Sequence, residues 1–150
     1  MSSAFEIKEL DFCDIALAKQ LFLFFQIDDG VENPTAASDE YLKNLLSRDD
    51  FHVIVALENG KIIGGLTAYE LVKYKREVKE MFLYEIGVEP AYRRKGIAAE
   101  LIEFLKRICG EKGIKEMFVG ALASNSPAIN LYKATGGIGE EVIEFDYELD

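Results

Sequence analysis

Apolar and polar positions follow two rhythms along this chain, and the switches between them outline its elements. Residues 4–9 predict a short strand. From Asp11 to Gln26, the positions Ile15, Leu17, Ala18, Leu21, Phe22 and Phe25 repeat at helical spacing. Asp28–Ala37, with Gly30 and Pro34, reads as a loop. Ser38 is placed to cap a second helix, whose one face carries Tyr41, Leu42, Leu45 and Leu46. Runs at Phe51–Leu57 and Lys61–Tyr74 meet across Glu58-Asn59-Gly60, and Asn-Gly between apolar runs predicts a hairpin. Lys79–Val88 predicts a strand, Gly96–Lys112 an amphipathic helix, Lys115–Ala121 a strand and Asn125–Thr135 a helix. Ile138–Leu149 predicts a closing strand, with Glu144, Asp146 and Glu148 on one face and Ile143, Phe145, Tyr147 and Leu149 on the other.

The predicted order is β-α-α-β-β-β-α-β-α-β, an α/β sandwich whose first half is antiparallel. The strand–helix–strand unit at 79–121 requires one parallel pair. With 150 residues, no repeat and no Pro/Gly-rich linker, a single domain over 1–150 is expected.

Charge narrows the partners. Seventeen Lys+Arg against 27 Asp+Glu leave a net charge of −10. Phosphate contacts need clustered cations, so no nucleic acid is expected as partner. A cationic, soluble partner fits better. The longest apolar stretches, such as Leu21–Phe25, fall far short of the about 20 residues that span a bilayer, so no membrane is expected. The start, Met1-Ser2-Ser3-Ala4-Phe5-Glu6, shows no basic region leading into an apolar run, so a signal peptide is not expected. Cys13 and Cys109 both fall in helical patterns, and no disulfide is expected between them. His52, the only histidine, reads as a half-buried residue at the start of a strand. One histidine and two scattered cysteines do not make a metal site, so no metal is expected. A reducing cytoplasm is the expected compartment.

The most informative stretch is the link Glu89-Pro90-Ala91-Tyr92-Arg93-Arg94-Lys95-Gly96-Ile97-Ala98, between a strand and a helix. Successive backbone N–H groups and the positive end of a helix make such a turn an anion site. Gly96 allows close approach of the backbone to an oxygen, and Ala98 keeps the first helical turn thin. Arg93, Arg94 and Lys95 gather positive charge in an acidic chain.

Arg93-x-x-Gly96-x-Ala98, following Ile-Gly-Val-Glu-Pro, resembles the acetyl-CoA signature of the Gcn5-related N-acetyltransferases (GNATs). Asn125-Ser-Pro-Ala128-Ile-Asn-Leu131-Tyr132-Lys133 is similar to that family's second motif, and the element order agrees along nearly the whole chain. A narrower resemblance, to the type I aminoglycoside 3-N-acetyltransferases, lies in Tyr41-Leu-x-Asn44-Leu-Leu, Gly64-Gly-Leu-Thr-Ala-Tyr69, Tyr84-Glu-Ile-Gly-Val88 and Glu140-Glu-Val-Ile-Glu-Phe-Asp146. Two departures stand out: Glu85 occupies a position that is commonly Asp, and Gly136-Gly137 stands where most acetyltransferases have Gly and an aromatic.

The resemblance implies a mixed, mostly antiparallel sheet flanked by helices, with a splayed parallel strand pair at the donor site. It implies acetyl-CoA as cosubstrate. The pyrophosphate would lie on the amides of Arg94, Lys95, Gly96, Ile97, Ala98 and Ala99, with Arg93 beside them. The pantetheine arm would pair near Ile86, Gly87 and Val88, and Asn125 and Tyr132 would also touch the cofactor. A homodimer is compatible with the family likeness.

The acceptor amine is mostly ammonium near pH 7 and must lose a proton before it attacks a thioester. Glu85 is the only carboxylate in Met81–Val88 and is the candidate base. Tyr132 is the candidate acid for the departing thiolate, and the backbone N–H of Val88 is the candidate donor to the tetrahedral intermediate. Asp146 is a second carboxylate, acting directly or through water. Asp29, Glu32, Glu85 and Asp146 are the expected acceptor contacts. The expected function is acetyl transfer to a polycationic amine, an aminoglycoside at its 3-amino group. A GNAT for a peptide, protein or metabolite amine is the alternative, and a non-catalytic acyl-CoA sensor is the alternative of another class.

Overall fold

Asn59 and Gly60 both adopt positive φ, 51° and 77°. This is the pairing that a tight two-residue hairpin turn requires, because its twist then matches that of the flanking strands. The turn joins β2, Phe51–Glu58, to β3, Lys61–Val72, and residue pairs run from Glu58 opposite Lys61 to Phe51 opposite Tyr69. Around this hairpin the computed structural model, which describes residues 5–150, adds β1 (Glu6–Glu9), β4 (Lys79–Val88) and β5 (Met117–Val119). The sheet order is β1-β2-β3-β4-β5, antiparallel except for the β4–β5 pair. Residue 4 of the predicted first strand lies outside the described residues.

The chain forms two compact units, one up to Gly120 and one from Ala121 to Asp150. In the first, helix α1 (Ile15–Asp28) and helix α2 (Asp39–Leu46) cover one sheet face. Ser38 caps α2 as predicted, its Oγ accepting from the Tyr41 N–H at 3.2 Å. Ala18, Leu21, Phe25 and Leu46 pack with Phe51, Val53, Val55 and Leu57. Gly65 permits this contact: a Cβ there would lie 2.6 Å from a Leu21 methyl and 2.9 Å from the Ile54 carbonyl. Helix α3 (Ile97–Lys112) packs against β2, β3 and β4, burying Leu101 and Leu105 completely. Each such leucine contributes about 1.5–3 kcal/mol over an exposed one.

Three expectations need correction. Cys13 is not helical; it lies exposed in the turn before α1, and its N–H donates to Asp11 Oδ1 at 2.8 Å. Cys109 is buried in α3, and both thiols are free. His52 stands at the start of β2, as expected, but it is buried rather than half-buried, with Nδ1 2.6 Å from Glu9 and Nε2 2.5 Å from Glu70. Lys79 and Lys112 also reach Glu70, at 3.2 and 2.5 Å. The third correction concerns the second unit. Helix α4, Ser126–Ala134, forms where predicted, but residues 138–150 form no strand. Alternation alone does not make a strand; the segment needs a neighbour to satisfy its N–H and C=O groups. Among the described residues no helix is long and apolar enough to cross a membrane.

Candidate active site

The site begins with an irregularity in β4. Thr67 pairs with Glu85 and Ala68 pairs with Leu83, so Tyr84 is an extra residue without a cross-strand partner. A bulge of this kind disturbs strict alternation and re-aims side chains. Tyr84 and Glu85 therefore line the same pocket despite being adjacent in sequence. The pocket, about 250 Å³, is completed by Phe22, Phe25, Gln26 and Asp29 of α1 and its end, Leu45 of α2, and Phe51, Thr67 and Tyr69 of the sheet. The Tyr69 and Tyr84 rings meet edge to face at 5.5 Å, and Phe51 lies 4.9 Å from Tyr69.

Asp29 is the C-cap of α1, directly after Asp28. Two carboxylates at the negative end of a helix dipole are locally unfavourable, and such a conflict marks a functional position. Burial pushes the Glu85 carboxyl up, and the Asp29 charge, a hydrogen bond to Asp29 and the Asp28 charge add to it, to about 7. Glu85 is thus raised into the range where a carboxyl can exchange a proton near neutral pH. Asp28 is partly neutralised by Arg93, 3.3 Å away. Glu32 lies exposed on the following loop, outside the pocket; the loop itself is pinned by the Gln26 side chain, which bonds both N–H and C=O of Thr35.

Beside the pocket the sheet opens. β5 pairs with β4 only at Met81–Leu83, whereas β4 continues to Val88. In an antiparallel ladder, pairs that bond across alternate with pairs whose peptide groups point outward. The Glu89 N–H donates to the Ile63 carbonyl, so Val88 and Ile86, opposite Gly64 and Leu66, turn their groups toward the gap. Arg93 Nε donates to the Val88 carbonyl at 3.0 Å. The Arg93 side chain is thereby committed to the strand end and to Asp28.

A short 3₁₀ turn, Pro90–Tyr92, leads from this strand end to α3. Arg94 and Gly96 adopt positive φ, 64° and 80°. The first helical bond runs from the Glu100 N–H to the Gly96 carbonyl, so the amides of the preceding turn have no intrahelical acceptor. No neighbour stands within 4 Å of a Cβ built at Gly96, which leaves open space over the turn. Lys95 lies over the Tyr92 ring, 5.3 Å from its centre. Ile97 is buried, while Ala98 and Ala99 are half-buried.

In the second unit Asn125 caps α4, its Oδ1 accepting from the Ala128 N–H at 3.2 Å. Tyr132 is half-buried, which raises its hydroxyl above the ordinary tyrosine range. The Gly137 N–H closes on the Tyr132 carbonyl at 2.8 Å, and a Cβ at Gly137 would lie 2.9 Å from that oxygen. This explains the second glycine where the family pattern has an aromatic. Asp146 is exposed in the segment without regular structure, so the acidic face expected from strand alternation is not formed there.

Of the predicted acceptor contacts, the structure brings Asp29 and Glu85 together, and leaves Glu32 outside the pocket. Tyr69 and Tyr84 were missed as pocket walls. Both lie in stretches that carry the narrower resemblance, and that was the available signal.

Residues 18–136 match the model of the Acetyltransferase (GNAT) family. The chain is similar to the aminoglycoside acetyltransferase meta-AAC0020, from an uncultured soil metagenomic sample, solved in complex with sisomicin: 32% identity, 97% of both chains covered, TM-score 0.93. A second soil metagenomic aminoglycoside acetyltransferase, HMB0005, is 36% identical over the full length of both chains, with TM-score 0.89. Among curated proteins, an uncharacterized N-acetyltransferase of Methanocaldococcus jannaschii is 34% identical over 109 residues, 69% of this chain and 46% of that protein. The chain spans about half the length of the curated relatives it matches.

Proposed function

Because the chain belongs to the GNAT acetyltransferase family, we propose that it transfers acetyl from acetyl-CoA to a primary amine of an aminoglycoside. The observation that carries this reading is the Glu85–Asp29 carboxyl pair, in an aromatic-walled pocket on the stretch of β4 that β5 leaves unpaired. Likeness over 97% of the chain to an acetyltransferase solved with sisomicin supports the acceptor class. The stretches at 41–46, 64–69, 84–88 and 140–146 support the 3-amino group as the position modified.

Acetyl-CoA supplies an activated acetyl group as a thioester. The outward peptide groups of Ile86 and Val88 would hold its pantetheine arm, and the amides from Arg94 to Ala99 its pyrophosphate. Arg94 and Lys95 remain as the basic groups of the turn, while Arg93 acts by fixing the strand end. The acceptor ammonium is attracted by Asp29 and Glu85 and by the faces of Tyr69 and Tyr84. Ionised Glu85 removes its proton, and the nitrogen lone pair attacks the thioester carbon. The Val88 N–H, which faces the gap, donates to the oxyanion. The C–S bond would then break, the thiolate would take a proton from the Tyr132 hydroxyl, the role implied by the family's second motif, and the second proton of the attacking nitrogen would pass through solvent to the tyrosinate, leaving a neutral amide and a free thiol. Tyr132→Phe is expected to slow the chemical step, read by single-turnover kinetics, with little change in acetyl-CoA affinity measured by calorimetry.

Asp29 tunes the base. Asp29→Asn removes the like charge that helps hold the Glu85 proton, so the rising limb of kcat/KM against pH is expected to move from near 7 toward lower pH. A pH–rate profile with an unmoved limb would remove Asp29 from this role.

The acceptor is tested by free-thiol release from acetyl-CoA with gentamicin-type aminoglycosides, spermidine, a lysine peptide and an arylalkylamine. Fast release with the aminoglycosides alone, and a 3-N-acetyl product by NMR, is the expected result. Release with another amine alone would discard the acceptor and keep the chemistry.

A further inference from the structure

Phe51, Tyr69, Phe82 and Phe118 form one row across four strands. The register sets Phe51 opposite Tyr69, Tyr69 opposite Phe82 and Phe82 opposite Phe118, and residues paired in this way share a sheet face. Tyr84, the extra residue of β4, joins the row between Tyr69 and Phe82, its ring centre 5.5 and 5.6 Å from theirs. Phe82 and Phe118 stack at 4.6 Å. Cross-strand aromatic pairs stabilise a sheet, but that role needs no contact with solvent. This row leaves the core as it runs outward: Phe51 is buried, whereas Tyr84 is 60% and Phe118 41% exposed. Helices α1 and α2 pack on β3 and β2, at its inner end. Met81 and Leu83 point to the opposite face of β4, where they are buried and where α3 packs.

The inner end of the row, Phe51, Tyr69 and Tyr84, is a wall of the acceptor pocket. At about 250 Å³ that pocket is smaller than the roughly 300–1,000 Å³ that encloses a whole drug-sized ligand, so it takes one ring of a multi-ring acceptor. The other rings need a path outward. Phe22, Phe25 and Leu45 close the helix side, and the gap at Ile86 and Val88 is the path of the cofactor arm. The aromatic row is the direction that remains, and it is continuous with the pocket. Its charge suits an amine. Glu80, opposite Leu71 and two residues before Phe82, lies on the same face, while Lys73 and Arg76 of the hairpin tip are engaged by Glu116 at 3.3 and 3.9 Å. An aminated sugar ring offers apolar C–H groups to such a floor and ammonium groups to the carboxylates that flank it. We propose that the row is a second acceptor subsite: one aminated ring occupies the pocket, and the next lies on Phe82 and Phe118 with an ammonium group toward Glu80. This deepens the aminoglycoside reading and rests on it.

The test compares kcat/KM for a three-ring, gentamicin-type acceptor with that for the single ring 2-deoxystreptamine. Phe118→Leu keeps apolar bulk and removes the ring; it is expected to lower the three-ring to one-ring ratio roughly three- to tenfold, mainly through KM of the three-ring acceptor. Phe118→Tyr, which restores a ring, is expected to restore the ratio. Glu80→Gln is expected to lower it roughly threefold at low salt and less at high salt. Calorimetry with acetyl-CoA checks that each variant is folded. Saturation-transfer NMR on the wild-type chain with CoA needs no variant, and is expected to show transfer to two rings of the acceptor. A wild type that acetylates no three-ring aminoglycoside overturns the acceptor class and the subsite together. Acetylation with an unmoved ratio in Phe118→Leu, or transfer confined to one ring, overturns the subsite alone. So does an unmoved ratio with a changed mass or melting temperature, which would assign this face to packing against another chain segment.

Discussion

Glu85→Gln is expected to lower turnover by about 10²–10⁴-fold while acetyl-CoA binds as before. Gln is isosteric, so the pocket keeps its shape and its bond to Asp29, but no group remains to take the proton from the acceptor ammonium. Free-thiol release gives the rate, and calorimetry gives cofactor affinity. Near-normal turnover would remove Glu85 as the base. The wild-type profile carries the same information: below about 7 the carboxyl holds its proton and cannot act, so kcat/KM rises with pH through that value. The raised value also has a sign for stability. Between the ordinary carboxyl range and about 7 the folded chain binds more protons than the unfolded chain, so Glu85 weakens the fold as pH rises through this window. The melting temperature of Glu85→Gln relative to wild type should therefore increase from pH 5 to pH 8.

The largest loss of stability is expected from Glu70→Gln, roughly 2–4 kcal/mol. Glu70 is fully buried and bonds His52, Lys79 and Lys112. Removing its charge leaves a buried imidazole and two ammonium groups facing a neutral amide. At this chain length the melting temperature should fall by roughly 5–15 °C. Burial pulls the His52 pKa down, but hydrogen bonds to Glu9 and Glu70 outweigh it and hold the ring above its ordinary value. Burial pushes Glu70 up, but Lys112, His52 and Lys79 outweigh it and hold the carboxyl below its ordinary value. The His52 contribution is thus complete below the ordinary histidine pKa and is lost as pH rises through the raised value. The Glu70 contribution is present above the ordinary carboxylate pKa and is lost as pH falls through the lowered value. Chemical denaturation across pH should show both limbs in wild type and a reduced plateau in the variant. An unchanged plateau would show that the cluster contributes nothing net.

Features encoded by neighbouring residues were legible. Asn59-Gly60 makes its turn through two positive φ angles, Ser38 caps through its own hydroxyl, and Arg93–Ala98 builds its turn from Arg94 and Gly96. Glu85 was legible as an isolated carboxylate in an apolar run and Asp29 as an acidic loop position, but their direct pairing was not, because the end of α1 reaches Glu85 only through the packing of Phe25 and Leu21 on the sheet. The full burial of His52 was missed for the same reason: its partners Glu9 and Glu70 lie 43 and 18 residues away in sequence. The closing strand failed differently, since alternation describes what a segment can pair with and not whether a neighbour stands beside it.

The extra residue at Tyr84 bears on how such a cleft arises. β5 leaves β4 at Leu83, immediately before the added residue strengthens the local twist. A chain shorter by that one position would keep Glu85 opposite Thr67 but would run β3 and β4 as an unbroken ladder there, with Tyr84 gone from beside it. A single residue in the length of one strand therefore sets which side chains share a wall: the tyrosine it adds lines the same pocket as the carboxylate that follows it.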